Sequence, residues 1–227
     1  SLSPLVPADG AAASTWRFVG FPKSKADIPH TRFELADVQG ERALKVSTRA
    51  SYGTWVHDVP QVAAGRLQWR WRLDQPLTGG KAAPDIQTKA GDDAALKVCV
   101  MFDHALDRVP FGERTLLRVA RSVSGENLPA ATVCYLWDPL QASGTTAANT
   151  YSRRVRYVVV QGTGAPLQQW LGESRDVAQD FLTLFGDELP AGSTKTAVPS
   201  VSAVVIGADS DNTQARSSGW VAQLQWR

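Results

Sequence analysis

Two short clusters of oxygen-bearing side chains stand out in this chain, Gly91-Asp92-Asp93 and Asp209-Ser210-Asp211-Asn212-Thr213, each beside an apolar run that reads as a buried strand. In the second, Asp209, Asp211 and Asn212 offer the hard oxygens that calcium prefers. Their spacing resembles the start of a calcium loop, without its later glycine and bidentate glutamate. The same residues can equally build a turn, in which Asp and Asn side chains accept from nearby backbone N–H groups. In the first cluster, adjacent carboxylates repel unless a cation or a proton intervenes, and Arg175 and Lys97 are the partners to expect. Such a pair either pins a long loop through an internal salt bridge or presents a carboxylate to a sugar hydroxyl or as a general base, as paired acids do in glycosidases. The expectation is that both clusters converge with Arg175 at one end of the fold.

Eight tryptophans add a second kind of chemistry, since aromatic rings stack on sugar faces. Trp69, Trp71, Trp220 and Trp226 occupy alternating apolar positions and are expected in the core. Trp55, Trp137 and Trp170 fall at strand ends or in loops and are the platform candidates. His30, His57 and His104 are scattered, with no HExxH or HxxxH pair for zinc. No GxSxG, GxGxxG or GxxxxGK[ST] signature is present, which removes the usual hydrolase elbow, dinucleotide enzyme and P-loop readings. Cys99 and Cys134 each lie inside an apolar run. They are either a disulfide across neighbouring strands in an oxidising compartment or two buried free thiols.

The 24 basic and 22 acidic residues are interspersed, leaving a net charge of +2 and no basic stripe for nucleic acid. No apolar run approaches the ~20 residues that cross a bilayer, so no membrane span is expected. A small-residue opening through Ala11-Ala12-Ala13-Ser14 suits a mature exported protein whose leader has been removed, in the periplasm or outside the cell. Residues 1–14 are expected as a flexible segment, residues 15–227 as a single β-sandwich, and the protein as a monomer or weak oligomer.

The elements that must position these residues are mostly strands. Arg66 to Leu73 alternates strictly, with Leu67, Trp69, Trp71 and Leu73 on one face. Trp220, Ala222, Leu224 and Trp226 repeat that period near the C-terminus. Leu96 to Phe102, Val133 to Trp137, Val155 to Val160 and Val201 to Ile206 are apolar on both faces and belong in the middle of a sheet covered on its outer side. One short helix, from about Arg175 to Phe185 and capped by Ser174, supplies cover. Long connections, including Asp103 to Pro129 and Pro139 to Thr150, read as loops. The pattern predicts an all-β fold, a two-sheet jelly-roll-like sandwich with one covering helix.

The segments Ala83-Pro84-Asp85 through Gly91-Asp92-Asp93 to Val98, Thr132 to Trp137, Trp170 through Arg175-Asp176 to Phe181, and Ile206 to Thr213 together resemble the bacterial domain of unknown function 3047. The resemblance runs from about Trp16 to Trp226 and implies an exported or envelope-associated protein, with no catalytic residues to carry over. The front half also resembles jelly-roll carbohydrate-binding modules in architecture. Three readings follow. The first is a binding module for a glycan or envelope polymer, using Asp92, Asp93, Arg175, Asp209, Asp211, Asn212, Trp137 and Trp170. The second is a carbohydrate-active hydrolase or lyase using two of the carboxylates. The third is a structural or protein-interaction domain whose acidic motifs only tie loops down.

Overall fold

Where side chains alternate, one face of a strand finds the other sheet and its opposite face finds water or a covering segment. The computed structural model describes residues 2–8, 15–21 and 25–227, and in it this rule builds two stacked sheets. The larger has seven strands: β1 (Trp16–Val19), β4 (Tyr52–Val62), β11 (Val201–Asp209), β6 (Leu96–Phe102), β7 (Ala131–Trp137), β9 (Val155–Gln161) and β8 (Thr146–Ala148), in that spatial order. The smaller has five: β10 (Leu171–Asp176), β5 (Arg66–Thr78), β12 (Arg216–Trp226), β3 (Glu41–Arg49) and β2 (Arg32–Val38). Every pairing is antiparallel except β7 with β9. The two-sheet β architecture expected from patterning is present.

Leu67, Trp69, Trp71 and Leu73 of β5 all face the interior, where Trp69 and Trp71 meet Tyr135 and Trp137 of β7 edge-on or tilted. Burying rings of this size supplies much of the packing energy between the sheets. Trp137, expected as a ligand platform, is therefore a correction: it is fully buried between the sheets. In an apolar run such as β7 periodicity does not reveal which alternate residues point inward; here Val133, Tyr135 and Trp137 do, while Cys134 and Leu136 point outward. A second shift of phase occurs in β12. Trp220 and Ala222 pack on the outer face of the smaller sheet, whereas Leu224 and Trp226 turn inward. An irregularity in the pairing between Ala222 and Gln225, with Gln223 at φ 51°, reverses the alternation.

Helix α2 (Val177–Phe185) covers one edge of the core with Val177, Phe181, Leu184 and Phe185. Its cap is Asp176, whose side chain accepts from the backbone N–H of Gln179, and not Ser174; Arg175 is the penultimate residue of β10. A second helix, α1 (Phe111–Ser124), occupies the stretch expected as a loop, between Pro110 and a left-handed Gly125. Only Leu117 of α1 is buried, while Phe111, Leu116, Val119 and Val123 are exposed. Of the opening segment expected to be flexible, Leu5 is buried in the core and the indole N–H of Trp16 donates to the Ser3 carbonyl. Residues 1 and 9–14 of that segment lie outside the described residues.

Candidate functional site

β6 and β11 are antiparallel neighbours with Lys97 opposite Gly207. The residues just before β6 and just after β11 must therefore lie at the same end of the larger sheet, and this brings the two acidic clusters together. The backbone N–H of Ala94 donates to Asp209 Oδ1 at 2.6 Å, and the Asp209 N–H donates back to the Ala94 carbonyl at 2.9 Å. Gly207 leaves room for the lysine: a Cβ at that position would come 2.9 Å from Lys97 Cε and the side chain would have to shift. With that space open, Lys97 Nζ reaches Asp209 Oδ2 at 2.8 Å. Burial alone would lower the Lys97 pKa, but the charges of Asp209 and Tyr52 outweigh it and the pKa is raised.

The four carboxylates of the cluster divide by partner. Asp93 is closed, accepting from the Thr213 N–H at 2.7 Å, the Thr213 hydroxyl at 2.6 Å and the Asn212 N–H at 3.2 Å. Asp209 is held as described. Asp92 accepts from the Asn149 amide at 2.9 Å and from the Thr150 hydroxyl. Asp211, among the described residues, accepts from no side chain of another residue, and burial with the charges of Asp209 and Asp93 pushes it up to about 6. Burial, together with the charge of Asp209, raises Asp92 and Asp93 as well.

Asp92, Asp209, Asp211 and Asn212 open onto a cavity of about 330 Å³ on the outer face of the larger sheet. Its remaining lining includes residues that the sequence reading passed over: Phe21, Tyr52, Asn149, Tyr151 and Tyr157. Phe21 and Tyr52 stack at 3.8 Å, and the Tyr151 hydroxyl lies 2.9 Å from Asn212 Oδ1. Tyr157 is 2% exposed, and its buried hydroxyl has no hydrogen-bond partner among the described residues. A buried hydroxyl without a partner loses its water bonds and gains nothing in return, so one left in a cavity wall marks a place where a ligand atom or water completes the site. The polar turn Asn149-Thr150-Tyr151-Ser152, in one of the long excursions, was the available signal for this wall.

Two expectations fail on geometry. Arg175 does not join the acidic clusters: it is engaged with Asp180 at 2.7 and 3.0 Å, beneath the inward-facing ring of Tyr135, whereas the clusters line the outer face. The calcium set Asp209, Asp211 and Asn212 is not assembled as ligands. Both oxygens of Asp209 are taken, one by an ammonium, and the Asn212 amide donates to the Asp92 carbonyl at 2.9 Å. Among the described residues no group of three or more His, Cys, Asp or Glu could hold a metal ion. Trp170 lies on the outside of the smaller sheet, with the Arg70 guanidinium 5.0 Å from its ring centre, away from the acidic clusters.

Cys99 and Cys134 are directly opposed on β6 and β7 and form a disulfide on that same outer face. No helix of the described residues is long and apolar enough to cross a membrane.

The fold and site define a two-sheet β-sandwich whose larger sheet carries an acid- and tyrosine-lined cavity on its outer face. The chain belongs to the family described as protein of unknown function (DUF3047), whose model matches residues 14–225. No curated protein matches it. Among solved structures it is similar to the xyloglucanase domain of NopAA, a type three effector from Sinorhizobium fredii, determined in complex with cellobiose. The identity is 6%, the match covers 94% of this chain and 97% of the other, and the TM-score is 0.41.

Proposed function

We propose that this protein is an exported β-sandwich that binds a glycan or envelope polysaccharide in the cavity on the outer face of its larger sheet. The observation that carries the reading is the unpartnered Tyr157 hydroxyl in the wall of a cavity it shares with Asp92, Asp211, Asn149 and Asn212. Carboxylates and amides that hydrogen-bond hydroxyls, beside the rings of Phe21, Tyr52 and Tyr151, are the complement of a sugar, which presents hydroxyl edges and apolar ring faces. Export is supported by the Cys99–Cys134 disulfide, a bond that persists in oxidising compartments.

The test is a glycan array followed by calorimetry on wild type, Asp211→Asn and Tyr157→Phe. Binding by the wild type, weakened about tenfold or more by either substitution, is expected from the loss of a buried hydrogen bond or one to a charged group. Array hits whose affinity is indifferent to both substitutions would overturn the assignment of the site.

A second reading, an enzyme on saccharides, is favoured by Asp211 alone. A carboxyl held at about 6 is poised to give or take a proton near neutral pH. Release of reducing ends from a bound oligosaccharide, abolished in Asp211→Asn while binding persists, would establish it.

A further inference from the structure

The polar cavity does not end at Tyr151. It shares Tyr52, Lys97, Asn149 and Tyr151 with a second, larger space of about 540 Å³ that runs on across the sheet toward α1. The character of the walls changes along the way. The floor runs on from Cys134, common to both spaces, to Cys99, Met101 and Val205, with Thr54 and Thr132 between, and the far wall is the face of α1 that carries Glu113, Leu116, Leu117 and Ala120, continued by Leu128 and Pro129. Leu116 and Leu117 belong to one helix turn, yet Leu117 is 6% exposed and Leu116 is 71% exposed. The helix thus seats one leucine and holds its neighbour over the opening. Apolar surface on both sides of an unfilled trough is costly in water unless something apolar enters it.

We infer that the ligand is an amphiphile, a sugar headgroup carrying a hydrocarbon chain, with the headgroup at Asp92 and Asp211 and the chain lying in the trough beneath Leu116 of α1. The occupant is fixed by the continuity of the two spaces: one wall of Tyr52, Lys97, Asn149 and Tyr151 serves both, so a chain leaving a sugar held among the carboxylates enters the apolar section directly. A plain polysaccharide would find polar partners at the rim of the second half, Thr132, Glu113 and Arg153 among them, but would lay its hydroxyls against Met101, Val205, Leu116 and Ala120, which offer none. The inference rests on the reading of the polar cavity as a sugar site and adds the class of molecule that site takes.

The experiment is calorimetric titration of the intact protein with maltose and with hexyl, octyl and decyl maltosides below their critical micelle concentrations. Decyltrimethylammonium serves as a chain without a sugar, and each ligand is run on wild type, Leu116→Asp and Asp211→Asn. Affinity is expected to rise about threefold to fourfold for each methylene that becomes buried. Leu116→Asp should flatten that rise without changing the melting temperature, because Leu116 is a surface residue. Chain length without effect, or no binding by decyl maltoside, would overturn the inference; free oligosaccharides binding in the array would then leave the sugar site standing. Decyltrimethylammonium binding as tightly as decyl maltoside, with Asp211→Asn silent, would also overturn it and would remove the sugar site while sparing the trough.

Discussion

Two buried acidic regions of this molecule use the same functional group to opposite ends. At Glu188 the carboxylate, whose side chain is 2% exposed, accepts from Arg154 Nη1 at 2.9 Å and Arg156 Nη2 at 2.8 Å, and pairs with His104 Nε2 at 2.9 Å. Burial alone would raise its pKa, but the hydrogen bonds from Arg154 and His104 bring it down to about 2. At Asp211 burial and the charges of Asp209 and Asp93 outweigh the nearby Lys97 ammonium and raise the pKa to about 6. A carboxylate surrounded by guanidinium groups is finished as a structural element; one left beside other carboxylates and an unpartnered tyrosine is not. The contrast separates the region that holds the fold from the region open to a ligand.

Substitutions should divide along the same line. The largest effect is expected at Glu188→Ala, which removes the buried carboxylate shared by Arg154, Arg156 and His104, leaves Arg154 to Glu113 and Arg156 to the exposed Asp187, and should cost about 3–5 kcal/mol in urea unfolding. A loss below about 1 kcal/mol would mean that the network is better hydrated than its burial indicates. Cys99→Ala with Cys134→Ala opens a loop of separation 35 and should cost about 2–4 kcal/mol. Asp93→Ala leaves the buried Thr213 N–H and hydroxyl unpaired and should cost about 2–3 kcal/mol. Asp211→Asn, on the open side of the same cluster, should have the opposite sign: it removes a charge that burial and the neighbouring acids disfavour, and so should raise stability at neutral pH.

The pH dependence sharpens the comparison further, with opposite signs. Glu188 has a folded pKa below its ordinary value, so its contribution is present above about 4.5 and is lost as pH falls toward about 2. Asp211 has a folded pKa above its ordinary value. Its charge costs stability above pH about 6, and that cost disappears as pH falls from there toward 3.8. Unfolding curves across this range should show wild type gaining stability relative to Asp211→Asn between pH about 6 and 4. Parallel curves would place Asp211 in water.

Much of this arrangement was legible in the residues. Strict alternation in β5 placed Trp69 and Trp71 correctly, and runs apolar on both faces did lie centrally, because covering segments shield the outer side of β6, β7, β9 and β11. The meeting of the two acidic clusters depends on β6 pairing with β11, a contact between residues more than a hundred positions apart that no local pattern encodes. Helix α1 was legible too, since Leu116, Val119, Ala120 and Val123 recur at helical spacing between Pro110 and Gly125; that this apolar stripe stays largely exposed is visible only in the structure. The Glu188 network escaped notice because its members come from three distant stretches, with His104 ahead of α1, Arg154 and Arg156 at the start of β9 and Glu188 after α2, and none of the three signals a partner by itself. Tyr157 was read correctly as part of an apolar strand; that its hydroxyl lacks a partner is visible only once its neighbours are in place.

A ligand site on the outer face of the larger sheet should show in backbone protection. Hydrogen–deuterium exchange of the intact protein, with and without the tightest-binding oligosaccharide from the array, tests it most directly. The account predicts added protection in residues 149–157 and 208–213, with the smaller sheet unchanged. Protection confined to the other side of the molecule, around Arg70 and Trp170, would contradict it.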